Sequence, residues 1–189
     1  MGRPTESTSS VLLVEGDSDR VALEAVASRL GRDLGADGIS IVAMHGATNI
    51  ASFLDRFGPG GRGTVRGGLY DAAEEPYIGR GLERAGLGSE LSRADMERLG
   101  FFACVEDLED ELIRAVGAEA VLAVVGSRGE LGPFRTLTRQ PPWRGRPVEQ
   151  QLRRFLGNAS RKATYAPLLV EALEASAIPR PLVQVLAHV

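Results

Sequence analysis

Cysteine occurs once in these 189 residues, as Cys104. One thiol excludes an internal disulfide and leaves a cysteine-based zinc site without ligands; this fits a cytoplasmic chain and places Cys104 in the core. No stretch approaches the roughly 18 consecutive apolar residues of a membrane-spanning helix, and the opening Met1-Gly2-Arg3-Pro4-Thr5-Glu6 lacks the apolar core of a signal peptide. Glu6 also stands where a myristoylation motif needs Ser or Thr. Phosphate-binding glycine loops are missing as well. Gly58, Gly60 and Gly63 match GxGxxG, but they follow a helical pattern and precede a strand pattern, the reverse of the dinucleotide order. Gly58 and Gly63 also have P-loop spacing, yet Thr64 occupies the place of the phosphate-binding lysine. Any ATP dependence would have to come from another protein. Lysine is scarcer than its charge class suggests, because Lys162 is the sole lysine among 22 Lys plus Arg.

A hydrophobic content of 43% supports a real core, and the length fits one domain with an appendage. The net charge of −3 hides an asymmetry. Tyr70 to Glu119 holds thirteen acids against five arginines, whereas Arg128 to Lys162 holds nine bases against two acids, Glu130 and Glu149. An acidic segment concentrates divalent cations and a basic one attracts phosphates. The same numbers also describe solvated helix faces that offset one another, so overall charge does not decide.

Periodicity organises the chain into alternating strands and helices. Residues 1–10 read as a disordered polar tail. Val11-Leu12-Leu13-Val14 is a continuous apolar run, as expected of a strand covered on both faces. A helix follows in which Val21, Leu23, Val26, Ala27 and Leu30 recur at helical spacing, closing at Gly31. Ile39 to Ala43 is a second strand and Asn49 to Phe57 a second helix. A glycine-rich connection from Gly58 to Gly68 leads to a short third strand ending at Asp71. A helix over Glu75 to Arg84 and a fourth strand over Phe101 to Val105 come next, and from about Leu108 the pattern is mostly helical. The fold class expected is α/β: a mainly parallel four-stranded, Rossmann-like sheet flanked by helices, with a helical C-terminal extension. The boundaries expected are 1–10 for the tail, 11–115 for the α/β domain and 116–189 for the extension, which is partly basic.

Three acidic groups fall at the carboxyl ends of these strands, the edge where open α/β sheets bind ligands. Glu15 ends the first strand, with Asp19 about one helical turn on; a strand terminus beside a helix N-cap at Asp17 or Ser18 accounts for the same residues. Asp71 ends the third strand, with Glu74 and Glu75 opening the next helix, where acids also complement the helix dipole. Glu106-Asp107-Leu108-Glu109-Asp110-Glu111 follows the fourth strand, with Glu109 and then Glu106 the members expected at a site and the rest expected to face solvent. Converging carboxylates repel one another unless a cation neutralises them, and oxygen-only ligands favour magnesium or manganese over zinc.

The EGxxD sequence Glu15 to Asp19, Asp71 at a strand end, and the alternation between them resemble a TOPRIM domain over about Val11 to Ala115. This is the metal-dependent fold shared by topoisomerases, bacterial primases and the nucleases of the overcoming-lysogenization-defect (OLD) family. The turn Gly46-Ala47-Thr48-Asn49 and the segment Leu108-Glu109-Asp110-Glu111-Leu112 look most like the OLD-type branch, whose members normally carry an ATPase domain on the same chain. This chain resembles the nuclease half standing alone. The resemblance implies Glu15 as a metal-binding or general acid/base glutamate, Asp19 and Asp71 as metal ligands, Glu109 as a further acidic ligand, and Mg2+ or Mn2+ as the ion. Ala73 departs from the family's DxD pattern: either Glu74, one residue later, compensates, or one metal position is weakened and full two-metal activity with it. The resemblance also implies a functional lysine C-terminal to the acidic motifs, and Lys162 is the only candidate; a chance surface lysine is the plain alternative.

Arg135, Arg139, Arg144, Arg146, Arg153, Arg154 and Arg161 could contact backbone phosphates. No base-reading motif is visible, so contact with nucleic acid, DNA first, would be sequence-tolerant. Trp143 could stack on a base, but an isolated tryptophan is more often buried in a core. His45 lies at the functional edge, where a local backbone bond would also explain it. The function expected is magnesium-dependent phosphoryl transfer, nicking or cleaving nucleic-acid phosphodiesters, with Glu15 and Lys162 catalytic and a separate ATPase as partner. The alternatives are a non-catalytic TOPRIM module that binds metal and phosphate or docks on that ATPase, and transfer on a smaller phosphorylated substrate.

Overall fold

The computed structural model describes residues 9–189. Four strands, β1 (Ser10–Val14), β2 (Ile39–Ala43), β3 (Val65–Asp71) and β4 (Phe101–Cys104), form one sheet in the order β2-β1-β3-β4, and every pairing is parallel. Helices α1 (Asp17–Arg29), α2 (Ile50–Phe57), α3 (Glu75–Arg84) and α4 (Arg93–Arg98) lie between strands. After β4 the chain is helical: α5 (Leu108–Val116), α6 (Ala118–Ser127), α7 (Leu131–Thr138), α8 (Val148–Leu156), α9 (Ala159–Ala172) and α10 (Arg180–Ala187). The expected α/β class with a helical C-terminal extension is the observed one.

The unbroken apolar run in β1 has the reason anticipated for it. Successive side chains of a strand point to opposite faces, and here both faces are covered. Leu12 and Val14 join a cluster with Leu23 and Val26 of α1, Leu112 of α5, Leu152 of α8 and Leu169 of α9. Val11 and Leu13 join a second cluster with Ile50 and Leu54 of α2, Ile78 and Leu82 of α3, and Met96 of α4. Cys104 is fully buried in the first cluster. That cluster runs from the sheet into the extension, where α9 packs along α1 and α5 packs on α8 and α9.

Four expectations about local structure need correction. The third strand begins at Val65, inside the segment read as a glycine-rich connection. Glycine disfavours strands in isolation, but here it permits close approach: a Cβ on Gly67 would strike the Gly100 carbonyl, and one on Gly68 the Leu13 carbonyl and the Phe101 ring. Helix α4 is an element beyond those expected, although Ser92 caps it through a capping box with Asp95. Of the expected tail, residues 1–8 lie outside the described residues, while Ser9 donates to the Gly38 carbonyl at 2.9 Å and Ser10 opens β1. Trp143, expected to bury its ring, is half-exposed and belongs to neither apolar cluster.

Candidate functional site

The carboxyl ends of β1 and β3 open into a cavity of about 460 Å³. Glu15, Asp19, Asp71, Glu109 and Lys162 all line it, together with Asp17, Ser18, His45 and Gly46. The first turns of α1, α5 and α9 contribute Asp19, Glu109 and Lys162, so three helix N-termini border a single space, a setting whose dipoles favour anions.

Each carboxylate is set in place by local structure. The Glu15 backbone is tied to the turn after β2, where its carbonyl accepts from Gly46 at 3.1 Å. That turn is built on His45 and Gly46, with φ of 54° and 122°, the second a conformation that glycine alone tolerates readily. The exposed His45 ring points its Nδ1 to within 3.9 Å of Asp17. Asp19 is buried, and its Oδ2 accepts the Gly16 N–H at 2.8 Å, so it also caps α1. The N-cap residue is thus Gly16 rather than Asp17 or Ser18, and Asp19 combines a structural bond with a place in the cavity. Glu109 is 5% exposed. Its Oε2 meets Lys162 Nζ at 2.7 Å, while its Oε1, like Oε2 of Glu15, is buried with no partner among the described residues.

The electrostatics follow from burial and crowding of like charge. Burial raises the Glu15 pKa, Glu74 adds to the rise, and Lys162 opposes it. Burial pushes Asp19 up to about 7 against the Gly16 hydrogen bond, with Glu109 and Glu15 adding repulsion. Asp71 is pushed up to about 8, by burial first and then by Asp19 and Glu15. Burial also raises Glu109 despite its bond to Lys162. Burial alone would lower the lysine, but the Glu109 bond and charge outweigh it and hold Lys162 protonated. A set of carboxylates that raise one another's pKa is stabilised by a cation.

The donor set fits a hard divalent ion: its ligand atoms are oxygens, and two of them are buried without partners. At their present spacing no three or more His, Cys, Asp or Glu side chains among the described residues are gathered tightly enough to hold one. Ion binding would therefore require side-chain rotation within the cavity.

The remaining residues singled out in the sequence are distributed differently. Glu74 does not line the cavity but lies close enough to act on Glu15 electrostatically, and Ala73 before it is exposed. Glu106 is exposed and pairs with Arg153 at 3.3 Å. Asp107 caps α5, accepting from Asp110 N–H at 2.8 Å, and pairs with Arg153 at 2.8 Å. Glu111 is buried rather than solvent-facing: it accepts the Val105 N–H at 2.9 Å and pairs with Arg114 at 3.0 Å, pinning the chain after β4. Arg161 pairs with Glu130 at 2.7 Å and lies over the Phe155 ring. Arg135, Arg139, Arg144, Arg146 and Arg154 are exposed. Asp17 and Ser18 complete the cavity wall, and their signal is the EGxxD stretch itself, in which only the first and last acids read as ligands.

A parallel sheet in the order β2-β1-β3-β4, flanked by helices and with acids at the carboxyl ends of its two central strands, defines an open α/β domain. Within that class, residues 8–58 match the family described as "Overcoming lysogenization defect protein-like, TOPRIM domain". Over 96% of its length the chain has the fold of the C-terminal regions of OLD proteins. It superposes on that of Xanthomonas campestris pv. campestris with a TM-score of 0.71 at 24% identity, covering 96% of this chain and 94% of the other. For Burkholderia pseudomallei the TM-score is 0.70 at 23% identity, covering 96% of both chains. No curated protein matches the chain significantly. No helix among the described residues is long and apolar enough to cross a membrane.

Proposed function

We propose that the chain is a divalent-metal-dependent phosphodiesterase that nicks or cleaves nucleic acid, acting together with an ATPase. The observation that carries this reading is the joint presence, in one cavity, of carboxylates from β1, α1, β3 and α5 with unpartnered oxygens on Glu15 and Glu109, and of the chain's one lysine. Glu15, Asp19, Asp71, Glu74 and Glu109 would hold Mg2+ or Mn2+. When bound, such an ion supplies activation of water and neutralises charge on the attacking and leaving oxygens. Lys162 presents a compact ammonium to a non-bridging phosphate oxygen, a role that a forked guanidinium does not reproduce. Glu15, whose carboxylate is partly desolvated and raised in pKa, would take a proton from water. The exposed arginines of α7, α8 and the segment between them hold the phosphate backbone without reading bases.

A second reading, a module that binds metal and phosphate without cutting, is favoured by one feature: Ala73 stands exposed where a second aspartate would extend the ligand set. Incubation with supercoiled plasmid in magnesium or manganese separates the two. Nicking that disappears in Glu15→Ala, Asp71→Ala and Lys162→Ala supports the phosphodiesterase. Intact calorimetric metal binding with no nicking in either metal selects the non-catalytic module.

A further inference from the structure

Beside the acidic cavity lies a second one of about 380 Å³, within the roughly 300–1,000 Å³ range of small-ligand sites. Its walls differ sharply in chemistry. Trp143 offers a half-exposed indole face, and Arg146, Arg153, Arg154 and Lys162 supply positive charge against a single acid, Asp107. Asp107 is already committed, since one of its oxygens caps α5 and the other pairs with Arg153. The Trp143 backbone is tied down, its carbonyl accepting from Gln151 Nε2 at 2.8 Å, and the Arg146 guanidinium lies 6.0 Å from the ring centroid. Lys162 lines both cavities, so a ligand filling one reaches the edge of the other.

We propose that this cavity is a subsite for one unpaired nucleotide of a nucleic-acid strand, with the base stacked on Trp143 and its phosphates between the arginines and Lys162. The inference rests on the phosphodiesterase reading and adds to it the state of the substrate. An aromatic face flanked by cations suits a base with its phosphate, because every base has a π-face and every link a negative charge. A base lying flat on Trp143 cannot at the same time be stacked between neighbouring pairs inside a duplex. The protein therefore acts at single strands, flaps or frayed ends in preference to the middle of a duplex. A strand rather than a free nucleotide is the occupant because the two cavities meet at Lys162: the nucleotide in the cationic cavity places its neighbouring phosphate at the carboxylates.

Trp143 is the only tryptophan of the chain, so its emission reports on the subsite directly. The full chain is titrated in calcium buffer with labelled oligothymidylate, with the same strand in a duplex, and with thymidine monophosphate; label anisotropy and tryptophan emission are read together. The single strand is expected to quench the emission saturably and to bind about tenfold more tightly than the duplex, with Trp143→Ala losing about tenfold in strand affinity and Trp143→Phe keeping most of it. Strand binding that leaves the wild-type emission and the Trp143→Ala affinity unchanged overturns the subsite while leaving the phosphodiesterase reading intact. Equal affinity for thymidine monophosphate and the strand overturns the assignment to a strand. No binding of either nucleic acid, with no plasmid nicking, overturns both.

Discussion

Lys162 Nζ and Glu109 Oε2 stand 2.7 Å apart, joining the first turn of α9 to the first turn of α5 at the floor of the acidic cavity. The lysine side chain is 32% exposed and the glutamate 6%, so removing the lysine strands a buried carboxylate. Lys162→Ala should destabilise the metal-free protein by about 2 kcal/mol, below the cost of breaking a fully buried pair because water still reaches this one. Combining Lys162→Met with Glu109→Gln should recover much of that loss. Denaturant unfolding of Lys162→Met, Glu109→Gln and their combination checks the coupling, and strictly additive losses would sink it.

The pH dependence of stability has a defined sign. Asp19 and Asp71 have folded pKa values of about 7 and 8 against 3.8 for the free side chain, so the folded state holds protons that the unfolded state releases. Their contribution to stability is fully present below the free value and is lost as pH rises through 7 to 8. A loss of ~2 kcal/mol corresponds to about 4–8 °C in a chain of this size. Calorimetry of metal-free protein should show that fall between about pH 5.5 and about pH 8.5, and magnesium should reduce it. A melting temperature that rises across this interval without metal contradicts the electrostatic account.

Ala73 is exposed in the single turn between β3 and α3, so a larger side chain meets no steric barrier there. Ala73→Asp should tighten magnesium binding several-fold and raise nicking at limiting metal. Glu74→Ala should weaken both, and Ala73→Asp should rescue Glu74→Ala. Isothermal titration with Mg2+ and Mn2+ measures it; unchanged binding in Glu74→Ala removes Glu74 from the ligand set.

The arginines should separate into two groups by salt dependence. Arg153 and Arg161 are tied to Asp107 and Glu130, whereas Arg146 and Arg154 are exposed. Removing one cation that neutralises a phosphate of a single strand lowers the slope of log K against log salt by about 0.7. Arg146→Ala and Arg154→Ala should each show that change in anisotropy titrations, whereas Arg161→Ala should alter melting temperature more than the slope. Equal slopes in all variants would mean that these arginines do not touch the strand.

Much of this arrangement is legible in the sequence, and the exceptions have physical causes. β1, α1 and the position of Glu15 can be read because a continuous apolar run followed by an acid, a glycine and a helical period leaves few alternatives. The start of β3 cannot, because its glycines answer to Gly100 and Leu13, far along the chain. The rarity of lysine draws attention to Lys162, but no spacing rule leads from it to Glu109; that pairing depends on how α9 packs against α1 and α5. Glu111 and Trp143 depart from expectation for a related reason. A buried carboxylate is tolerated where Val105 and Arg114 satisfy it, and an indole stays at the surface where the sequence around it builds no apolar cluster.

The cluster shared by the sheet and the C-terminal helices also bears on how the site comes into being during synthesis. Glu15 leaves the ribosome well before Lys162, so the cavity acids are all made before the residue that offsets their charge. Only when α9 docks on α1 does the lysine reach Glu109. A nascent or prematurely ended chain that lacks α9 would carry these acids without their counter-charge.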